Sequence, residues 1–134
     1  MKKAISLFVM VIMLCGLLQT PALAAGIEPR YTNTALAQTD LSFSNDVANV
    51  VLSYDCYESS GISVKITTTL QKKFMLFWWT DLTTWTDYST NSSNVIVHNY
   101  ETSSGTHRVL VTYEVTNVNT GITDVIEHEV EKKN

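Results

Sequence analysis

The chain has 134 residues, and its first 24 read as a leader, which leaves 110 residues, enough for one domain with one core and too few for two. Lys2 and Lys3 depart with the leader, so 7 basic residues stand against 13 acidic ones, a formal charge of −6. That balance argues against nucleic acid and anionic membranes as partners.

Met1-Lys2-Lys3 opens the chain, followed by the uncharged apolar run Ala4 to Leu18 and by Pro21-Ala22-Leu23-Ala24-Ala25. A basic start, a short apolar stretch and small residues before a cut describe a secretory signal peptide, residues 1–24, with cleavage after Ala24 or one residue later. The run is shorter than the roughly 20 residues a membrane-spanning helix needs, so no span is expected after cleavage. Bulky Leu14 ahead of Cys15 disfavours lipidation. The predicted product is a secreted, extracellular domain, residues 25–134. Its lone thiol, Cys56, makes no internal disulfide, and stability must come from packing.

Pro29 biases Glu28 toward an extended start. Tyr31 to Phe43 reads as one or two edge strands, and Asn45-Asp46 marks a turn. In the next segment Ala48, Val50, Leu52, Tyr54 and Cys56 share one face. After Ser59-Ser60-Gly61, the residues Ile62, Val64, Ile66, Thr68 and Leu70 alternate with Ser63, Lys65, Thr67, Thr69 and Gln71. A period of two in residues that favour the pleated backbone predicts two antiparallel strands, each with a buried and a wet face. No helical apolar stripe of useful length follows the leader.

Leu70 to Tyr88 holds all three tryptophans. Beyond it Val95 to Tyr100 makes a short strand, and Glu101 to Gly105 reads as a hairpin loop. A long strand then places His107, Val109, Val111, Tyr113 and Val115 on one face. Asn119-Thr120-Gly121 turns the chain into a last strand, in which Ile122, Ile126, His128 and Val130 alternate with Glu127, Glu129 and Glu131. About seven short strands with regular turns predict an all-β, antiparallel two-sheet β-sandwich of the immunoglobulin or fibronectin type III kind, closed by a large aromatic between the sheets. The predicted core is Leu52, Tyr54, Val64, Ile66, Leu70, Trp79, Trp85, Val109, Val111 and Tyr113.

The Leu70-Gln71-Lys72 triplet, the Trp79-x-x-Leu82-x-x-Trp85 spacing, His107-Arg108-Val109 and the Ile27-Glu28-Pro29-Arg30 opening together resemble a group of small exported proteins of Gram-positive bacteria. The group carries a signal peptide and one β domain of unknown function, which is what the resemblance implies for this chain. Two departures stand out. His107 occupies a place where the group has an aromatic, and Phe74-Met75-Leu76-Phe77 replaces a polar, glycine-containing turn. The second departure argues against a simple hairpin at that point.

For catalysis the residues offer little. His98 and His107 could face each other across a hairpin, but two imidazoles make an incomplete metal site, and no metal or cofactor is expected. Cys56 continues a buried face without a neighbouring positive charge, so it reads as a small hydrophobe rather than a nucleophile. Glu127, Glu129 and Glu131 suit the wet face of an edge strand better than a pair of catalytic carboxylates. Adjacent Trp78 and Trp79 point to opposite sides of a strand, so they cannot both be core. Trp79 and Trp85 match the spacing of the group this chain resembles, and that resemblance assigns them inward, which leaves Trp78, with Phe77 or Phe74 nearby, as the exposed contact surface. The expectation is a non-enzymatic binding domain at or near the cell surface, meeting a surface protein or a glycan. A carbohydrate-binding module is the alternative, and a small secreted hydrolase a distant one.

Overall fold

A computed structural model describes residues 30–134; the predicted leader lies outside the described residues. Seven strands follow in order: β1 (Thr34–Ser44), β2 (Val47–Cys56), β3 (Ile62–Phe74), β4 (Trp78–Ser89), β5 (Ser93–Glu101), β6 (Thr106–Asn117) and β7 (Thr123–Lys133). They form a three-stranded sheet in the order β1-β2-β5 and a four-stranded sheet in the order β4-β3-β6-β7, and every pairing is antiparallel. The fold is the expected all-β, two-sheet sandwich, with no helix among the described residues.

Alternation builds the core. The inward faces of β2, β3 and β6 bury Leu52 and Tyr54, Val64, Ile66 and Leu70, and Val109, Val111 and Tyr113, all predicted there. Leu41 from β1 and Ile126 from β7 complete the cluster from the flanks. Among the described residues, every strand and core side chain lies between Tyr31 and Asn134. Fully burying one such aliphatic side chain stabilises by about 1.5–3 kcal/mol, and the one described cysteine, Cys56, is a free thiol within this core.

The first strand settles as one of the two expected alternatives, and the connections that follow differ from expectation in two places. Tyr31 to Phe43 contains a single strand, β1, whose pairing with β2 is irregular between Thr34 and Leu36. It enters β2 through Asn45 and Asp46, both at positive φ (50° and 61°), as a tight twisted hairpin requires. The segment from Glu101 to Gly105 is not a hairpin loop: β5 belongs to one sheet and β6 to the other, so the chain crosses between layers there. Conversely, the apolar stretch after Lys73 is a simple hairpin, contrary to its composition, with Phe74 paired to Trp78 across a three-residue loop.

The largest correction concerns Trp79. Opposed residues of an antiparallel pair share a face. Trp85 lies opposite Thr68, on the inward face, and packs against the core as expected. Trp79 lies opposite Lys73, on the outward face. The six-residue spacing would put both tryptophans on one side in a regular strand, but the ladder slips between Leu70 and Gln71, opposite Thr83 and Asp81, leaving Leu82 as an extra residue in β4. One inserted residue reverses the alternation. Trp79 is therefore not a core residue, and its place in the core layer is taken by Leu82 and Trp85.

Candidate functional site

β3 and β4 outrun the core. The last β3 residue in the buried cluster is Leu70, and the hairpin continues to Phe74 and Trp78 before it closes. At about 3.3 Å per residue, this carries the tip some 13 Å past the final core layer. The tip is Phe74-Met75-Leu76-Phe77-Trp78, five consecutive large apolar side chains that are 62%, 74%, 76%, 84% and 67% exposed. Single exposed hydrophobes are common on any surface, but five in one loop are not. The three residues predicted as the contact surface, Trp78, Phe77 and Phe74, are all in this group; Met75 and Leu76, which complete it, were not singled out.

The loop's backbone adds a second anomaly. Met75 has φ of 58°, in the left-handed region that glycine or asparagine normally fills. A bulky apolar side chain is thus held where a small or polar one would be less strained.

Cations stand immediately behind the tip. Lys72 and Lys73 are the last β3 residues before Phe74, Lys72 is in register with His107, and His107 with Lys132. Lys133 pairs with Thr106 one step further out. Lys72 Nζ meets the Ser103 hydroxyl, and Lys132 reaches Asp40 at 3.2 Å. Neither Lys73 nor Lys133 joins an ion pair among the described residues. Adding Arg108 on β6, five of the chain's nine basic residues sit at this end of the sandwich.

Arg108 fixes the root of the hairpin. Its guanidinium lies 4.2 Å from the Trp79 ring centre, donates from Nε to Gln71 Oε1 at 2.6 Å, and reaches Glu129 at 3.2 Å. Gln71 in turn donates to Asp81 at 2.5 Å. Lys73 approaches the same indole at 5.5 Å. This outward-facing row joins all four strands of the sheet, so outward Trp79 braces the tip rather than filling the core.

The histidines are separated. His98 and His107 lie on different sheets, and no group of three or more potential metal ligands occurs among the described residues. His98 Nε2 is 2.7 Å from Asp87 Oδ2 while its ring stacks on Trp85 at 4.6 Å, which ties edge strand β5 to edge strand β4. His107 is fully buried; Nδ1–H donates to the Gly105 carbonyl at 3.0 Å, so Nε2 accepts from the Thr102 hydroxyl at 2.8 Å. Burial, offset in part by the Gly105 bond and reinforced by Lys72, lowers its pKa below the usual histidine value. His128, bonded to Thr39, is lowered by burial as well. Burial pushes the Cys56 thiol up, aided by Asp55 and Asp124, which keeps it protonated and unreactive.

One functional-looking carboxylate escaped the sequence reading. Asp124, on the inward face of β7, is buried. Its oxygens accept from the Thr32, Asn33 and Thr34 backbone N–H groups at 3.1, 2.7 and 2.9 Å and from the Thr34 hydroxyl at 3.0 Å. Asn33 donates to the Val115 and Ile122 carbonyls. The cluster clasps the start of β1 to β6 and β7, and its donors are all occupied structurally. Its signal was faint: a lone Asp in an alternating strand, at a step the apolar count passes over.

The fold and this surface define a seven-stranded antiparallel β-sandwich with an apolar hairpin spike. No known protein family and no curated protein matches the chain.

Proposed function

We propose that this is an exported, non-catalytic binding domain that meets its partner at or near the cell surface through the β3–β4 hairpin tip. The observation that carries the reading is the run of five exposed apolar side chains from Phe74 to Trp78, held on a hairpin that the Trp79–Arg108 row braces. Displaying this much apolar surface costs solubility, and a strained Met75 adds to the cost, so a contact that covers the tip gives both a purpose. The expected leader supplies the export route.

A carbohydrate-binding module is the second reading, favoured by the exposed Trp78 ring, since aromatic faces stack on sugars. Aliphatic Met75 and Leu76 and the lack of any polar side chain among the five tip residues weigh against it, because sugar sites combine stacking with hydrogen bonds.

Retention of the labelled domain, residues 25–134, on washed Gram-positive cells tests the contact site. The wild type should be retained, and Trp78→Ala and Phe77→Ala should each lower retention about tenfold, as expected for losing one large buried side chain. Equal retention of all three proteins would remove the tip from the reading.

A further inference from the structure

We infer that the partner of the hairpin tip is an anionic lipid surface, into which Phe74 to Trp78 insert as a shallow wedge. This deepens the proposed function and rests on its reading of the tip as the contact site. Three features of the tip converge on lipid.

The first is shape. The apolar residues form the convex end of a narrow hairpin rather than a groove or a flat patch. A protein partner would need a matching pocket, whereas a bilayer yields to a convex wedge. The second is length. Peripheral elements bury their apolar part about 5–10 Å into the boundary between headgroups and acyl chains. A three-residue loop beyond the Phe74–Trp78 pair has that reach, and Trp78, at the loop's base, falls at the level where indoles prefer to lie.

The third is charge. The formal charge of residues 25–134 is −6, which by itself would repel an anionic surface. The strands that end at the tip nevertheless carry lysines at their last steps. Lys72 and Lys73 precede Phe74 directly, and Lys132 and Lys133 end β7 on either side of the same level, in register with His107 and Thr106. When the tip is submerged, these ammonium groups sit one to two residues back, about 3–7 Å, at the depth of the lipid phosphates. Apolar insertion and a basic collar are the two signals that together make peripheral binding stable where either alone is marginal. Acidic groups share this end of the sandwich: Asp40 pairs with Lys132 at 3.2 Å, Asp81 accepts from Gln71 three residues behind Trp78, Glu131 lies opposite Arg108, Asp46 lies in the β1–β2 turn and Glu101 ends β5, so the attraction belongs to Lys72, Lys73 and Lys133 at the root of the tip and not to the whole face.

The test is flotation of the domain, residues 25–134, with vesicles of phosphatidylcholine alone or of phosphatidylcholine and phosphatidylglycerol in equal parts. Brominated acyl chains serve as a depth-sensitive quencher of tryptophan. The wild type should float with the mixed vesicles, more weakly with phosphatidylcholine, and less as salt is raised, with quenching that places a tryptophan at the boundary. Leu76→Ser and Phe77→Ser should each reduce partitioning about tenfold on both vesicle types. Lys73→Gln and Lys133→Gln should each reduce it about fivefold on anionic vesicles only. All four side chains lie outside the buried core, so unchanged urea midpoints are the control for folding.

Failure of the wild type to float with either vesicle overturns the lipid assignment, as does flotation undiminished in the double variant Leu76→Ser/Phe77→Ser. If cells retain the wild type but not Trp78→Ala while vesicles bind neither, the tip remains the contact site and only the lipid falls. A dimer abolished by Leu76→Ser/Phe77→Ser, without flotation, names a second copy of the chain as the occupant instead. Carbohydrate competing the wild type off cells, again without flotation, returns the site to the sugar reading.

Discussion

Met75→Gly isolates the strain in the hairpin. A residue with a Cβ pays about 1–2 kcal/mol in the left-handed region, and Met75, at φ of 58°, is such a residue. Its side chain is mostly in water, so removing it forfeits little packing. Glycine's greater freedom in the unfolded chain takes back about 0.5–1 kcal/mol. The balance is a gain of about 0.5–1 kcal/mol, worth roughly 2–6 °C in Tm for a domain of this size. Urea denaturation followed by far-ultraviolet circular dichroism, together with calorimetry, measures it. Leu76→Gly is the control, because Leu76 has no positive φ and the same substitution there should cost stability. If Met75→Gly lowers the midpoint, or if both glycines act alike, left-handed strain is not what distinguishes residue 75. The same substitution removes an apolar group from the tip, so the more stable protein should bind less well, a trade between stability and contact.

Asp124→Ala should cost about 2–3 kcal/mol or more, because two buried backbone N–H groups, those of Asn33 and Thr34, and the part-buried one of Thr32 lose their acceptor together; hydrogen exchange at Thr32 to Thr34 should accelerate, and a loss below about 1 kcal/mol would show that water replaces the carboxylate. His107 and His128 are both lowered by burial, so the unfolded chain binds protons more readily than the folded one as pH falls through the ordinary histidine range. Their stabilising contribution is present at neutral pH and lost below about pH 6.5, at up to about 1.4 kcal/mol per pH unit for each histidine. Urea midpoints between pH 7 and 5 should fall less steeply in His107→Phe than in the wild type, and identical slopes would assign the pH response elsewhere.

Alternation made most of the sandwich legible. In β2, β3 and β6 the buried residues stand at every second position without interruption, so periodicity alone assigned Leu52, Ile66 and Val111 to the correct layer. The method fails where one residue breaks the period. Leu82 is such a residue, and since a bulge leaves no mark in composition, Trp79 was turned to the wrong face. The crossover after Glu101 was equally hidden, because a short polar loop with a glycine looks the same whether its strands pair with each other or belong to opposite layers. At the candidate site the aromatic half of the tip was legible, since adjacent Trp78 and Trp79 cannot both face inward. The collar was not, because Lys72 and Lys132 are 60 positions apart and meet only through the registers of β3, β6 and β7.

The bulge at Leu82 has a bearing on solubility. β4 hydrogen-bonds to β3 alone, so its other edge carries unpaired N–H and C=O groups beside a loop of bare hydrophobes. A straight edge next to such a loop is a template on which identical chains stack into fibrils. The extra residue breaks the even spacing of those groups midway along the strand, and the His98–Asp87 bond and Trp85 stack hold the following stretch against β5. Irregularity in the edge thus sets an obstacle to edge-to-edge stacking beside the apolar spike.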